Sequence, residues 1–85
     1  MAIDILYFAW VRERIGLDGE SVTPPGDVAD VAALIDWLAT RSPAHAEALA
    51  DRSRLRAAVD QSFATPNTPI AGAREVALFP PVTGG

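Results

Sequence analysis

The chain has 85 residues, a formal net charge of −4 at pH 7 and no cysteine. This length predicts one domain with one modest core, and the 49% apolar content favours a folded globule over a disordered chain. The acidic net charge argues against nucleic acid as a partner. The lack of cysteine excludes disulfides and thiolate metal sites. Because the chain has no membrane-length apolar run and no basic signal region, we expect a cytoplasmic protein without a membrane partner.

Residues 3–10 predict a first strand, because they are rich in aromatic and β-branched side chains. Alternation places Leu6 and Phe8 on the same face as Asp4, which marks that face as the wetter one. Two interpretations stay open at this point. Either the sheet is covered on both faces, or these side chains form an exposed apolar patch used for docking.

Residues 11–16 predict a turn, in which Gly16 suits a positive φ. Residues 20–23 predict a second strand, and a helix then begins with Asp27 as its N-cap and Asp30 adding favourable charge. Apolar residues recur at helical spacing along this helix and predict a stripe that covers the inner face of the first strand. The stripe consists of Val28, Val31, Leu34, Ile35 and Leu38.

The second half of the chain predicts shorter elements. Residues 44–50 predict one or two helical turns, with His45 facing solvent, and residues 55–59 predict a third strand. Asp60 and Gln61 suit a turn, after which Phe63 begins or flanks a short strand. Residues 76–79 predict the last strand, in which Phe79 shares a face with Glu75 and therefore joins Leu6 and Phe8. Two strands with the same pattern favour the docking patch.

This order of elements predicts an α+β domain over residues 1–80, with one main helix packed on one face of a mixed sheet. A hairpin at the start and a last strand that runs into a tail are typical of the β-grasp, or ubiquitin-like, fold. Residues 81–85 then predict an extended, flexible tail.

The tail itself suggests a function. Neither Pro80 nor Pro81 can donate to a strand ladder, so pairing should stop there, and paired prolines favour an extended path. Gly84 and Gly85 are slim enough to enter a narrow channel. The pattern predicts an end that is inserted into another protein's active site, although small residues are also common at inert chain ends. The inserted residues would be Pro80, Pro81, Val82, Thr83, Gly84 and Gly85.

The ending from Glu75 to Gly85, EVALFPPVTGG, resembles that of the small, sulfur-carrying subunit of molybdopterin synthase. The opening from Ile5 to Glu13, ILYFAWVRE, is similar to the first strand of that family and the turn after it. The resemblance implies the ubiquitin-like fold and a role in molybdenum cofactor biosynthesis. It also adds Phe63 to the predicted partner-binding patch, which then comprises Leu6, Phe8, Phe63 and Phe79.

The chemistry that the resemblance implies takes place at Gly85. An E1-like adenylyltransferase that uses ATP and magnesium would form a glycyl adenylate there, and sulfur would then convert it to a thiocarboxylate (1-thioglycine). The large synthase subunit, joined with this chain in a heterotetramer, would receive that sulfur. The chain would bind no cofactor or metal and would not be an enzyme on its own.

Other functions fit the same residues. A sulfur carrier for thiamine or cysteine synthesis also ends in two glycines, although the stretch from Phe79 to Val82 favours the molybdopterin branch. A ubiquitin-like modifier conjugated through Gly85 uses the same activation. A protein-interaction module with an inert tail is the third alternative. No constellation for self-contained catalysis, such as a Ser-His-Asp set or a glycine-rich phosphate loop, is visible in the sequence.

Overall fold

The computed structural model describes residues 2–81 and shows a five-stranded mixed sheet with helices. The sheet has the order β2-β1-β5-β3-β4, in which β1 and β5 are parallel and every other pair is antiparallel. This confirms the predicted α+β class and β-grasp arrangement. The elements in chain order are β1 (Ile3–Tyr7), α1 (Ala9–Ile15), β2 (Gly19–Val22), α2 (Val31–Ala39), α3 (Pro43–Ala48), a 3₁₀ turn (Arg52–Arg54), β3 (Arg56–Val59), β4 (Ser62–Ala64) and β5 (Glu75–Phe79).

The core lies between the sheet and α2, as the apolar stripe predicted. Alternate residues of the two central strands point into it, among them Ile5 and Val76, both fully buried. Four residues of the predicted stripe join the same cluster, namely Val31, Leu34, Ile35 and Leu38. Val28 precedes the helix and packs against this cluster while remaining half-buried.

The segment after β1 corrects the first prediction. The strand ends at Tyr7, and residues 11–16 belong mostly to the helix α1 rather than to a turn. Val11 and Ile15 lie four residues apart and are both buried, which gives this short helix an apolar side. Gly16 ends the helix with φ of 87° and donates its N–H to the carbonyl of Arg12. The predicted positive φ is therefore confirmed, but as a helix C-cap.

The start of α2 also differs from the prediction. Asp30, not Asp27, is the N-cap, and its carboxylate accepts a hydrogen bond from the Ala33 N–H at 2.8 Å. Asp30 also bridges to Pro69, and the Val31 N–H donates to the carbonyl of Thr68. These contacts hold the backbone before the helix in an extended path, so the helix begins three residues later than predicted.

The turn predicted at Asp60 and Gln61 is confirmed. Both residues have positive φ, 49° and 72°, as a two-residue hairpin turn between β3 and β4 requires. The Asp60 carboxylate accepts hydrogen bonds from the N–H groups of Arg74 and Glu75 at 2.9 and 3.0 Å. This hairpin is thereby fastened to the start of β5. Within residues 2–81, no helix is long and apolar enough to cross a membrane.

Candidate functional site

The face of the sheet opposite α2 carries an apolar row that crosses four strands. In register, Leu6 of β1 lies beside Ala77 of β5, Ala77 beside Ala58 of β3, and Ala58 beside Phe63 of β4. Neighbours at matched positions share a face. Phe63 is 85% exposed, whereas Leu6 is half-buried. The row therefore has large side chains at its ends and small ones in the middle.

The other two predicted patch residues lie next to this row, where β1 and β5 end. The Phe79 ring is 6.1 Å from that of Phe63, measured between centroids. Phe8 follows β1, donates its N–H to the carbonyl of Leu78, and is 44% exposed. The structure thus brings together the four residues that the sequence predicted, of which Phe8 and Phe63 are exposed and Leu6 and Phe79 are half-buried. We call Leu6, Phe8, Ala58, Phe63, Ala77 and Phe79 the apolar face; partner binding by it stays a prediction.

Charged residues of opposite sign border the apolar face at its two ends. Asp4 lies beside Glu75 in the β1–β5 register. Asp60 lies in the β3–β4 turn, and its carboxylate accepts a hydrogen bond from the N–H of Glu75 at the start of β5. At the other end, Arg56 is paired with Phe79 across the β3–β5 ladder. Three carboxylates thus outnumber the one arginine, Arg74, where β5 begins, and the face is basic where β5 ends.

The predicted tail begins at this basic end. β5 ends at Phe79, so regular pairing stops before Pro80 as predicted, and Pro80 and Pro81 are both half-buried. The remaining predicted tail residues lie outside the described part of the chain, and their roles stay predictions. These residues are Val82, Thr83, Gly84 and Gly85.

His45 corrects another prediction, because it is buried rather than facing solvent. Only 7% of the residue is exposed, and its Nε2 lies 2.6 Å from Glu20 Oε2. The Tyr7 hydroxyl donates to the same oxygen at 2.7 Å, and Arg41 Nε lies 3.5 Å from the other. On the far side of the ring, Nδ1 lies 2.7 Å from Ser42 Oγ. No short-range sequence pattern predicts this cluster, because its members lie up to 38 positions apart in the sequence (7 to 45).

The electrostatics of this cluster favour an ionised Glu20. Burial alone would raise the pKa of Glu20, but hydrogen bonds from His45 and Tyr7, with the charges of His45 and Arg41, lower it overall. Burial, followed by the hydrogen bond to Glu20, raises the pKa of Tyr7. A phenol that stays protonated can keep donating to the carboxylate.

The Ser42–His45–Glu20 chain of contacts resembles a hydrolytic triad, but its groups are engaged in holding the fold. Ser42 Oγ accepts the His45 N–H at 3.1 Å as the N-cap of α3. Glu20 already accepts from Tyr7. The cluster thus fastens α3 to the β1–β2 hairpin, and we assign it a structural role.

One open pocket lies away from the apolar face, between α2 and the β3–β4 hairpin. It measures about 330 Å³ and is lined mainly by apolar side chains. The Arg52 guanidinium at its edge donates hydrogen bonds to the Asp36 carboxylate and to the carbonyl of Leu49. Among residues 2–81, no group of His, Cys, Asp and Glu side chains is placed to hold a metal ion.

Comparison with known proteins places the chain in a family. The model of the ThiS family matches residues 5–85. The chain belongs to the ThiS family. Two bacterial relatives of this ThiS-family chain are both named molybdopterin synthase sulfur carrier subunit. The protein from Escherichia coli K12 is 43% identical over 83 residues, covering 98% of this chain and 99% of that protein. The protein from Haemophilus influenzae is 34% identical over the same length and the same shares.

A solved structure supports the fold assignment of the ThiS-family chain. The small archaeal modifier protein 1 of Haloferax volcanii superposes with a TM-score of 0.73 at 27% sequence identity, covering 95% of this chain and 98% of that one. The family predicted from the two ends of the sequence is thus confirmed, and the likeness extends across the whole domain.

Proposed function

We propose that this chain is the sulfur carrier of molybdopterin biosynthesis and the small subunit of a molybdopterin synthase. The observation that carries the proposal is the 43% identity, over nearly the full length of both chains, to a protein with that name. The chain supplies sulfur to a large subunit and is not an enzyme on its own. The assembly is a heterotetramer located in the cytoplasm.

The proposed chemistry centres on the carboxylate of Gly85. A carboxylate is a poor electrophile, so an E1-like adenylyltransferase first joins it to AMP, releasing pyrophosphate from ATP in a magnesium-dependent step. A sulfur nucleophile then displaces AMP and leaves a thiocarboxylate, which is ionised and nucleophilic at neutral pH. In the large subunit that sulfur attacks the pyranopterin precursor and forms a C–S bond, and water then cleaves the bond between the sulfur and the Gly85 carbonyl, which regenerates the carboxylate. ATP and magnesium belong to the activating enzyme, and this chain binds no cofactor.

The role of the chain's own residues is to dock and to position. The apolar face offers large exposed side chains, Phe8 and Phe63, beside the strand that leads into the tail. Ordering each backbone residue on binding costs roughly 1–2 kcal/mol, and Pro80 and Pro81 reduce that cost because they are already restricted. Docking through the face would thus fix where the tail enters its partner.

A second function, conjugation to other proteins, is favoured by one observation. The solved structure that resembles this chain at 27% identity is named a modifier protein. A modifier uses the same adenylate at Gly85 but passes the acyl group to an amine rather than accepting sulfur. A carrier for thiamine or cysteine synthesis would keep the sulfur chemistry, but the names of the two bacterial relatives favour molybdopterin.

Lengthening the tail tests the proposal. One alanine appended after Gly85 moves the end by about 3.3 Å, and a misplacement of about 1 Å can cost ~100-fold in rate. In a reconstituted system with the large subunit, the activating enzyme and a sulfur source, the extended chain should form no molybdopterin, yet bind the large subunit as the unextended chain does. Gly84→Val should reduce formation more mildly because it widens the tip. Molybdopterin formation by the extended chain, without trimming back to Gly85, would contradict the proposal.

A further inference from the structure

A group of arginines gathers where β5 ends and the tail begins. The guanidinium carbons of Arg14 and Arg54 lie 5.2 and 5.1 Å from the centre of the Trp10 ring. Arg56, two residues after Arg54, is paired with Phe79, the last residue of β5. We call Arg14, Arg54 and Arg56, with Trp10 in contact with the first two, the cationic rim.

Topology explains why the cationic rim lies beside the tail. β1 runs parallel to β5, so the helix α1 that follows β1 starts at the carboxyl end of β5. β3 runs antiparallel to β5, so the 3₁₀ turn that precedes β3 lies at the same end. The contact between Trp10 of α1 and Arg54 of this turn joins the two segments that flank the end of β5.

No carboxylate neutralises the stacked arginines among the described residues. Neither Arg14 nor Arg54 forms an ion pair there, whereas Arg12, Arg41 and Arg52 each do. Nearby carboxylates are Glu13 on the same helix, which pairs with neither, and Asp51, whose side chain caps Ser53. Two exposed like charges thus share one aromatic ring in a chain whose net charge is −4.

We infer that the cationic rim recognises an acidic surface on the protein that receives the tail, at the mouth of the channel the tail enters. This inference rests on the proposed function and adds the chemistry of the partner to it. A partner that draws in the residues after Phe79 must bring its channel mouth against the rim, and carboxylates there would pair with the guanidiniums of Arg14 and Arg54, whereas Arg56 already donates to the carbonyls of Ser53 and Leu55. The acidic end of the apolar face, at Asp4 and Glu75, would disfavour the reversed orientation.

Charge reversal at the rim tests this inference. The variant Arg14→Glu with Arg54→Glu should bind the large synthase subunit about 30-fold more weakly or worse at low salt, because each reversal replaces attraction by repulsion. Added salt should weaken binding of the unmodified chain and narrow its advantage over the variant, since screening reduces both the attraction in the one and the repulsion in the other. The matched control is Arg74→Glu, which makes the same kind of change in an exposed arginine at the start of β5. It should change the dissociation constant less than about threefold, because a surface charge far from the rim is largely screened.

The outcomes separate this inference from the proposed function. If the unmodified chain does not bind the large subunit, the proposed function fails and the rim with it. If the unmodified chain binds and the double variant matches Arg74→Glu, the rim inference alone is overturned. A second variant, Arg14→Gln with Arg54→Gln, removes both charges but keeps much of each side chain over Trp10. It shows whether the charge-reversed variant loses binding because of its charge or because it misfolds. It should weaken binding by a smaller factor while its melting temperature stays close to that of the unmodified chain.

Discussion

Phe63 offers the sharpest test of the apolar face, because the ring is held out in solvent at the sheet edge. A phenylalanine side chain presents about 200 Å². Since 85% of Phe63 is exposed, about 30 Å² is covered in the free protein, which corresponds to roughly 0.8 kcal/mol. The contact with the Phe79 ring adds about 0.5–1.5 kcal/mol. Phe63→Ala should therefore cost the fold about 1–2 kcal/mol, against ~3–5 kcal/mol for a buried phenylalanine.

The same substitution should cost partner binding more than it costs the fold. The remaining area of about 170 Å² is available for burial on docking, and an anchor of this kind is worth about 2 kcal/mol or more. That corresponds to a dissociation constant roughly 30-fold higher. Urea unfolding would give the first quantity and calorimetric titration with the large subunit the second.

Leu17→Ala is the matched control for this experiment. Leu17 is another exposed large apolar residue, 42% accessible, and lies between α1 and β2 rather than on the apolar face. Its truncation should leave binding unchanged. If Phe63→Ala lowers the melting temperature strongly while binding stays as tight as with Leu17→Ala, the apolar face does not dock.

Two further predictions concern the fold. Because the pKa of Glu20 is lowered in the folded state, its ionised form stabilises the fold above the ordinary pKa of a glutamate, and this contribution is lost as the pH falls through the folded value. The Glu20→Gln variant should thus be less stable than the unmodified chain by about 1–2 kcal/mol at neutral pH. Urea unfolding should show that this difference in the free energy of unfolding shrinks in acid. A difference that grows in acid would contradict a stabilising role for ionised Glu20. Gln61 has φ of 72° and Gly16 φ of 87°, so Gln61→Gly should stabilise and Gly16→Ala destabilise the protein, each by about 1 kcal/mol. Thermal melts that move both variants in the same direction would contradict these backbone conformations.

The sequence predicted those parts of the structure that depend on short-range patterns. Alternation in β1 and β5 placed Leu6 and Phe79 on one face, and helical spacing from Val31 to Leu38 placed α2 on the other. The predictions for Asp27 and His45 were wrong, because contacts between distant residues decide the structure there. Asp30 rather than Asp27 caps α2 because the backbone there pairs with residues 68 and 69. His45 is buried because its partner Glu20 lies on a strand 25 residues away.

The helix α1 was also missed by the sequence-based prediction. Only Val11 and Ile15 of its seven residues are buried, so the apolar spacing that would reveal it spans a single pair. That pair was the available signal, together with Gly16 as a C-cap. The cationic rim was hidden for a different reason, since Trp10 and Arg54 meet only after the sheet has brought α1 and the 3₁₀ turn to the same end of β5.

The intact mass of the chain after activation tests the central claim most directly. The chain is incubated with the activating enzyme, ATP, magnesium and a sulfur source, beside a control chain that lacks Gly85. Sulfur transfer to Gly85 predicts a mass shift that corresponds to one oxygen replaced by sulfur, present only in the full chain and located at its last residue. Unmodified chain alone, or Gly85 found in isopeptide bonds to the lysines of other proteins, would contradict the carrier mechanism.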